Sequence, residues 1–314
     1  MWPAPVPATD RLEVPIGRTP DRVGCPTISA KGRTGCAADK PLRGWIMRVV
    51  SFAALKGGVG KSTVGTNVAL LLAERGYKTL FLDLDPQASS THILLPGVEL
   101  QPEQTLAAVL TMQATIEDVA QYTKLSRHLM VAPAHLAMFD VALELVTQVA
   151  RETRIRTALE SLYGVADVVI VDTPPGRDLL QLNAVAASSD VVLVTDPSPH
   201  GARGLEGLLD LVRMCRKLLP NPRHPQAPQL AGVVMCRLQA GATDKRALEA
   251  LRQAFGEQVL GAIPHAAAAT QAAWESVPVV KHAPNSTPAA ALNGLVNRLE
   301  KILGLEVSNA DRAA

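Results

Sequence analysis

The sequence predicts an α/β fold with a doubly wound, mostly parallel sheet and helices on both faces. Beyond residue 46, short apolar runs alternate with amphipathic stretches of helical period, which is the pattern of parallel strands that are buried on both faces. The chain has 314 residues, of which 47% are hydrophobic, so it can build a sizeable core. Because only 3% are aromatic, we expect that core to be mainly aliphatic.

Seven apolar runs are predicted to be the strands of this sheet. They are RVVSFAAL (48–55), TLFLDLD (79–85), LMVAPA (129–134), ADVVIVD (166–172), DVVLVTD (190–196), LAGVVMC (230–236) and QVLGAIP (258–264). Amphipathic helices are predicted between them, because apolar residues recur there at helical spacing. The predicted helices span 61–75, 151–163, 204–219, 244–255 and 288–304.

Composition divides the chain into three regions. Residues 1–46 carry seven prolines and five glycines without a sustained apolar period, so they are predicted to form a flexible extension. Residues 47–304 hold every predicted strand and helix, and 305–314 form a polar tail. Because Met47 directly precedes the first strand, we also consider it as an alternative translation start, a hypothesis that the intact mass of the native protein would test.

Charge and cysteine content exclude several classes of protein. A net charge of +2 and a pI near 8.4 mean that any nucleic-acid binding has to come from a local patch of cations. Scarce aromatic residues argue against recognition of single strands by base stacking. The four cysteines form no C-x-x-C pair, which favours the reduced thiols of a cytosolic protein. No run reaches the ~18 apolar residues of a membrane span, and no signal-peptide layout is present, so we expect a cytoplasmic protein.

The stretch KGGVGKST has the composition of a phosphate-binding loop. It follows the first predicted strand and opens the first predicted helix, where ligands bind in a doubly wound sheet. Its glycines let backbone N–H groups curve around phosphate oxygens, Lys61 would reach the β- and γ-phosphates, and the Ser62 hydroxyl would coordinate Mg²⁺. The fold is therefore predicted to be of the P-loop NTPase type. The loop residues predicted to bind nucleotide are Lys56, Gly57, Gly58, Val59, Gly60, Lys61, Ser62 and Thr63.

Two further predicted strands end in carboxylates. Asp172 closes VVIVD, at the place where a Walker B aspartate would hold Mg²⁺. Asp83 and Asp85 lie two residues apart at the end of the second strand, so they point to the same side. A solvated strand end is the alternative interpretation of this pair, and the neighbouring phosphate loop favours a functional one.

Three motifs in order carry a resemblance to a known family. KGGVGKST (56–63), DLDPQAS (83–89) and VDTPPG (171–176) resemble the motifs of the deviant Walker A ATPases of the ParA/MinD superfamily. The chain looks most like the ParA-type partition ATPases of plasmid type, without an N-terminal helix-turn-helix, over roughly 47–304. This resemblance implies ATP and Mg²⁺ as cofactors and a slow, Mg-dependent ATP hydrolysis.

The resemblance also implies roles for individual residues. Lys56 matches the signature lysine that reaches across an ATP-sandwich dimer to the partner's nucleotide, where a second cation can neutralise charge on the transferring phosphoryl group. Asp85 would position the attacking water, and Asp83 would support the Mg²⁺ and the switch region, while Thr63 would contact the α-phosphate. The implied catalytic residues are Lys56, Lys61 and Asp85, and the implied metal ligands are Ser62, Asp83 and Asp172.

The chain departs from the family pattern at two positions. Leu55 stands where a strict Walker A motif has glycine, a position that varies among ParA-like members. Cys236 stands where many relatives carry an asparagine for adenine recognition. Base selection would then rest on backbone near Pro264, and a preference for ATP over GTP follows from the resemblance alone.

The function implied by the resemblance is an ATP-dependent DNA-partition cycle. The protein would form a homodimer on ATP, bind DNA nonspecifically on the nucleoid, and be released when a ParB-like adaptor stimulates hydrolysis, serving plasmid or chromosome segregation. Phosphate contacts by Lys and Arg suffice for such binding. The candidate DNA-binding residues are Arg213, Arg216, Lys217 and Arg252, with Arg237, Lys245 and Arg246 nearby in sequence. A solvated helix face is the alternative interpretation of each.

Other functions of the superfamily are weighed against this one. The alternative is a MinD-like or other ParA-like positioning ATPase that acts on membrane or protein cargo. Membrane cycling requires a free, basic amphipathic helix, whereas the helix 288–304 has only Arg298 and Lys301 as cations and is predicted to dock on the core, so no stable membrane association is expected. An iron–sulfur role would need cysteine ligands near a dimer axis, and Cys215 and Cys236 do not match that placement.

Overall fold

The structure is a computed structural model that describes residues 47–305. The predicted flexible extension 1–46 and all but the first residue of the predicted tail 305–314 lie outside the described residues, so those predictions stay untested. The strands are β1 (Arg48–Ala53), β2 (Thr79–Asp83), β3 (Gln121–Tyr122), β4 (Leu129–Ala132), β5 (Val168–Asp172), β6 (Asp190–Thr195), β7 (Gln229–Leu238) and β8 (Val259–Pro264).

These strands form one sheet in the order β3-β4-β2-β5-β1-β6-β7-β8. Every neighbouring pair is parallel except β3 and β4, which are antiparallel. The predicted doubly wound, mostly parallel sheet is thereby confirmed, with all seven predicted strands in place. The two-residue edge strand β3 was not predicted, because Gln121 and Tyr122 show neither an apolar run nor an alternation long enough to detect.

Helices connect the strands and cover both faces of the sheet. They are α1 (Lys61–Glu74), α2 (Ser89–Leu94), α3 (Leu106–Leu110), α4 (Ile116–Val119), α5 (Met138–Leu145), α6 (Arg154–Ala158), α7 (Leu179–Ala187), α8 (Pro199–Leu218), α9 (Ala242–Phe255), α10 (Ala267–Trp274), α11 (Val279–His282) and α12 (Thr287–Leu303). Short 3₁₀ turns lie at Pro102–Gln104, Arg151–Thr153, Glu160–Leu162 and Gly256–Gln258.

The predicted continuous helix 151–163 is wrong, and the cause is a side chain on α7. An unbroken α-helix would join the Ile155 N–H to the Arg151 carbonyl. Instead the amide of Asn183 donates to the Arg151 carbonyl at 2.6 Å and its oxygen accepts from the Ile155 N–H at 3.4 Å. The segment therefore divides into a 3₁₀ turn, the short α6 and a second 3₁₀ turn.

The helix predicted at 204–219 begins five residues earlier than expected. Its first residue is Pro199, and the hydroxyl of the preceding Ser198 accepts from the Gly201 N–H at 3.1 Å. A serine cap followed by proline is a strong start signal. Because α8 begins there, its first turn lies directly beside the carboxyl end of β6.

Alternate residues of each strand face opposite layers of helices. In β1, Val50 and Phe52 pack in the cluster that contains α1 and α12, whereas Val49 packs with α3, α6 and α7 on the other face. On that second face, α8 and α9 cover β6 and β7. The central strands are buried throughout, as the apolar runs predict.

The last helix docks on the core, as predicted. Its apolar stripe is buried to 1% exposure or less at Leu292, Leu295, Val296, Leu299 and Leu303. Ile302 on the same helix is 44% exposed. Between residues 47 and 305, no helix has the length and apolar character that crossing a membrane would require.

Candidate nucleotide-binding site

The glycine loop joins β1, the central strand, to α1. The helix begins after Gly60, which adopts a left-handed conformation at φ 104°, and no side chain caps it. Its first turn also lacks acidic residues. The first N–H groups of a helix have no partner within the helix and carry partial positive charge, so this end of α1 is prepared for an anion.

Gly60 is required by both conformation and packing. A side chain at φ 104° is strained, and a Cβ at this position would lie 3.2 Å from the Cβ of Cys236. Cys236 ends up fully buried against the loop, and burial, with a smaller effect of Asp196, raises the pKa of its thiol to about 12. Its side chain therefore packs against the loop as an inert neutral group.

Gly60→Ala is expected to destabilise the fold by about 1–3 kcal/mol and to weaken nucleotide binding, because the loop must distort around the added methyl group. Urea unfolding and ATP titration would measure the two effects. Gly97→Ala is the matched control, since Gly97 also has a positive φ of 72° but a Cβ there meets nothing within 4 Å. Equal losses in the two variants would show that the contact with Cys236 does not matter.

Lys61 and the predicted metal ligand Asp172 form a buried ion pair at the carboxyl edge. The Lys61 ammonium lies 2.6 Å from one carboxylate oxygen of Asp172 and 4.0 Å from Asp85. The other oxygen of Asp172 accepts from the Ser90 hydroxyl at 2.6 Å. Lys61 is only 6% exposed and Asp172 is fully buried, so the pair holds both groups in position.

Asp83 lies beside Asp172, because β2 and β5 are neighbours and the two residues are directly paired. The backbone N–H and the hydroxyl of Thr91 both donate to Asp83 at 2.8 Å. Burial, together with the charge of Asp172, raises the pKa of Asp83 to about 7 although these hydrogen bonds lower it. Two adjacent carboxylates in a buried position favour a cation between or beside them.

The donor set fits Mg²⁺ bound together with phosphates. In the described part of the chain no group of three or more His, Cys, Asp or Glu residues could hold a metal ion by itself. Mg²⁺ usually keeps water ligands and takes one or two carboxylates plus substrate phosphates. Asp172, Asp83 and the Ser62 hydroxyl in the first turn of α1 can supply the protein's share, and the ion would neutralise phosphate charge.

Asp85 lies next to Asp83 and Asp172 and is slightly more exposed to solvent than either of them. Burial raises the pKa of Asp85 above its ordinary value, against lowering by the Gln87 backbone N–H, at 3.0 Å, and by Lys61. A carboxylate with a raised pKa at the edge of a phosphate site is suited to orient a water and accept its proton. The catalytic role expected for Asp85 stays a prediction.

Lys56 points away from this cluster. Its ammonium lies 2.7 Å from Asp196, which follows β6, whereas Lys61 pairs with Asp172 at the end of β5. Because β5 and β6 flank β1 on opposite sides, the two lysines of the loop face opposite sides of the central strand. The Lys56 side chain is 49% exposed and that of Lys61 is 7% exposed, so only Lys61 lies within the phosphate pocket.

Asp196 is held in turn by the start of α8. The N–H of Ser198 donates to it at 3.2 Å, and the Ser198 hydroxyl donates to the same oxygen. Burial pulls the pKa of Asp196 upward, but the hydrogen bonds from Lys56 and Ser198 outweigh it and lower the pKa. Only glycine fits at position 201, where a Cβ would lie 2.5 Å from the Asp196 carbonyl.

Three other residues predicted to bind nucleotide are Val59 and Thr63 of the loop and Pro264 at the end of β8. Val59 is buried, and Thr63 is half-buried in the first turn of α1. The carbonyl of Thr63 accepts a hydrogen bond from the side-chain amide of Asn67 at 2.7 Å. Pro264 ends β8 and is paired with Leu238 of β7, so it lies at the same edge of the sheet. The prediction that the nucleotide base contacts the backbone near Pro264 stays untested.

Three of the four candidate DNA-binding cations are exposed on the outer face of α8 and α9, and the fourth is half-buried. Arg213 pairs with Asp210 at 3.2 Å and both are more than half exposed, while Lys217 and Arg252 are exposed. Arg216 is half-buried, and its guanidinium donates to the Pro228 carbonyl, with Nε at 2.9 Å. Arg216 is therefore engaged with the protein itself.

Sequence reasoning missed several residues that complete the site. Asp196 ends the run DVVLVTD in the way that Asp172 ends VVIVD, so the same strand-end signal was available. Ser90 and Thr91 are ordinary helix residues in sequence, and only the sheet brings them to Asp172 and Asp83. Arg237 was considered only for DNA, but its guanidinium donates to the Gly58 carbonyl at 2.7 Å.

A parallel sheet with a glycine loop, an anchored lysine and strand-end carboxylates defines a P-loop NTPase. The AAA domain family matches residues 47–222. The chain is 30% identical over 245 residues to sporulation initiation inhibitor protein Soj of Bacillus subtilis, covering 77% of this chain and 94% of Soj. It is 31% identical over 227 residues to chromosome partitioning protein ParA of Myxococcus xanthus, covering 70% of this chain and 77% of that protein.

Solved structures agree with this assignment. The cell division ATPase MinD of Pyrococcus furiosus is 27% identical with a TM-score of 0.66, over 81% of this chain and 99% of MinD. The ATP complex of McdA(D38A) from Cyanothece, 20% identical, has the same fold with a TM-score of 0.72, over 84% of this chain and 98% of McdA. The chain therefore belongs to the AAA domain family, in its ParA-type, deviant Walker A branch. It is an ATPase, with ATP and Mg²⁺ as cofactors.

Proposed function

We propose that this ATPase is a DNA-partition switch. ATP drives formation of a homodimer, the dimer binds DNA without sequence preference on the nucleoid, and a ParB-like adaptor stimulates hydrolysis and release. The cycle would serve the segregation of a plasmid or a chromosome. Its essential requirement is that hydrolysis waits for dimerisation.

The placement of the two loop lysines carries the proposal. Lys61 is buried beside Asp172, where a triphosphate on the same chain would reach it. Lys56 is half-exposed on the other side of β1, so it is accessible to a second copy of the chain. A cation supplied from a partner subunit can stabilise phosphoryl transfer in the way an arginine finger does, and it makes hydrolysis conditional on the dimer.

Cations on one face of the molecule support the DNA step. Helices α8 and α9 cover the same part of the sheet. Their exposed outer surfaces carry Arg213, Lys217, Lys245, Arg246 and Arg252. Contacts from such residues to phosphates give sequence-independent binding that weakens steeply with salt.

The names of the relatives support a partition role and also point to a second candidate. Soj and ParA are described as a sporulation initiation inhibitor and a chromosome partitioning protein. The chain is also 32% identical over 253 residues to cell division protein PomZ of Myxococcus xanthus. Positioning of a protein cargo is therefore the second candidate, whereas the core-docked α12 counts against membrane cycling.

Binding to a random-sequence DNA duplex tests the proposal. The protein would be titrated with Mg-ATP, with Mg-ADP and without nucleotide, over a salt series, while light scattering reports its mass. We expect a dimer and DNA binding only with ATP, and a negative slope of log affinity against log salt. A dimer without DNA binding would favour the protein-cargo candidate, and a monomer in every state would contradict the switch.

Replacing three exposed cations tests where DNA binds. The variant Arg213→Glu, Lys217→Glu, Arg252→Glu is expected to lower DNA affinity at least about tenfold and to reduce the salt slope by about 5, because the two chains of the dimer together lose six phosphate contacts, each of about 0.9 of a unit. Arg216 is left intact because it donates to Pro228 and its loss would disturb the fold.

The control carries the same change of charge on other surfaces, with Lys124→Glu, Arg127→Glu and Lys301→Glu. All three control residues are exposed, and Lys301 lies on α12, across the sheet from α8 and α9. ATP binding should be unchanged in both variants. Equal losses of DNA affinity in the two would show that net charge, and not the outer face of α8 and α9, determines binding.

A further inference from the structure

The end of β7 departs from regular strand geometry next to the glycine loop. The pairing register of β7 with β8 shifts between Met235 and Leu238. Within this irregular stretch Arg237 has φ 60°, a left-handed conformation that a long side chain rarely adopts. Bulges of this kind turn a side chain toward a new direction, and strained residues of this kind concentrate at functional sites.

The side chain that the bulge redirects reaches the phosphate-binding loop. The guanidinium of Arg237 donates to the carbonyl of Gly58 at 2.7 Å across 179 positions of sequence. Arg237 itself is exposed, so burial of its side chain does not compensate for the backbone strain. Within residues 47–305, the hydrogen bond to Gly58 is the polar contact that the Arg237 side chain makes from this conformation.

The hydrogen bond fixes the orientation of one peptide group of the loop. In a planar trans peptide, the carbonyl of Gly58 and the N–H of Val59 point in opposite directions. Rotation of this peptide changes ψ of Gly58 and φ of Val59, and because Gly58, at φ 73°, has no side chain to restrict its ψ, the hydrogen bond from Arg237 limits rotation from the Gly58 side. Turned over, the carbonyl would present negative charge to the phosphates in place of the N–H.

We propose that Arg237 is a positioning residue of the nucleotide site, which holds the Gly58–Val59 peptide so that the loop presents N–H groups to the phosphates. The inference rests on the nucleotide site at this loop and is independent of DNA binding and of dimerisation. It also replaces the sequence-based interpretation of Arg237 as a DNA contact. The residue acts through the loop backbone, and its guanidinium adds positive potential beside it.

Three substitutions separate this role from a structural one. Arg237→Gly removes the guanidinium and also the backbone strain, so the melting temperature is expected to stay the same or to rise by a few degrees. The dissociation constant for Mg-ATP is nevertheless expected to rise about tenfold, the lower range for loss of a charged hydrogen bond. Arg237→Ala should show the same loss of ATP affinity, and Arg237→Lys, which keeps a charged donor, should recover part of it.

The affinity for Mg-ATP and the rate of turnover would be measured without DNA. Binding of Mg-ATP by the wild-type protein tests whether the glycine loop is a nucleotide site at all. Arg127→Ala, which removes an exposed arginine just before β4, is the matched control and should bind ATP as the wild type does. ATP affinity within twofold of wild type in both the Gly and Ala variants would overturn the proposal. A lower melting temperature or weaker DNA binding with unchanged ATP affinity would overturn it as well, by assigning Arg237 to the fold or to DNA.

Discussion

Lys61→Met should lose nearly all ATP binding, and its turnover should fall at least about a hundredfold. Lys61 is the cation of the phosphate pocket, and its ammonium is 2.6 Å from Asp172 at a position that is 6% exposed. Stabilisation of charge by a fixed group in a buried site commonly contributes a factor of this size. Calorimetric titration with Mg-ATP and a phosphate-release assay would measure the two losses.

The same substitution leaves Asp172 buried without its cation, which can destabilise a fold by about 3–5 kcal/mol. Melting temperature therefore has to be recorded for each variant. Lys61→Arg keeps a positive charge, so we expect it to fold normally and still to hydrolyse ATP poorly, because the broader guanidinium does not reproduce the ammonium geometry. Lys78→Met is the control, since Lys78 is exposed at the amino end of β2, at the edge of the sheet opposite to the site. Wild-type turnover in a folded Lys61→Met protein would remove Lys61 from the site.

The sequence predicted the sheet well because each central strand is buried on both faces. A strand such as β5 has to be apolar along its length, and residues 168–171 are buried in the structure ahead of the terminal Asp172. Such runs are visible without any tertiary information. The loop and the strand-end carboxylates were visible for the same reason, since parallel strands bring their carboxyl ends to one edge.

What the sequence could not predict depends on contacts between distant segments. Asn183 divides the expected helix 151–163 by taking the Arg151 carbonyl and the Ile155 N–H, and nothing local to that helix announces the competitor. The reach of Arg237 to Gly58 depends on a bulge at the end of β7, which leaves no sequence pattern. Periodicity reports burial, and it does not report which polar groups meet.

Asp196 illustrates a signal that was present but could not be interpreted alone. Asp196 directly follows the apolar strand β6 and Asp172 is the last residue of β5, so both lie at the functional edge of the sheet. The order of strands decides their separate roles, because β5 and β6 lie on opposite sides of β1. One carboxylate therefore meets Lys61 and the other meets Lys56.

Lys56→Ala should keep Mg-ATP binding by the monomer within a fewfold of wild type, while ATP-dependent dimerisation and hydrolysis are lost. The expectation follows from the position of Lys56, which is half-exposed and turned away from the pocket of its own chain. Titration of the monomer with Mg-ATP, sedimentation with ATP and a turnover assay would separate the three quantities. A wild-type dimer with wild-type turnover would contradict a role in the partner's site.

Asp196→Asn tests whether the Lys56 side chain must break its ion pair with Asp196 before it acts in the partner's site. Asparagine still accepts from Ser198 but no longer carries the charge that holds Lys56 at 2.7 Å. An ion pair this exposed contributes about 0.2–1 kcal/mol, and a homodimer breaks two of them. The dimer should therefore dissociate about 2- to 30-fold less readily in the variant, and it should form at correspondingly lower protein concentration.

A double variant, Lys56→Ala with Asp196→Asn, supplies the control. If Asp196 acts by retaining Lys56, its substitution should have no effect on dimerisation once the lysine is absent. If instead Asp196→Asn tightens the dimer equally with and without Lys56, Asp196 acts through the start of α8. Weaker dimerisation in Asp196→Asn would mean that the Lys56–Asp196 ion pair is intact in the active dimer and that the Lys56 side chain does not turn to the partner's site.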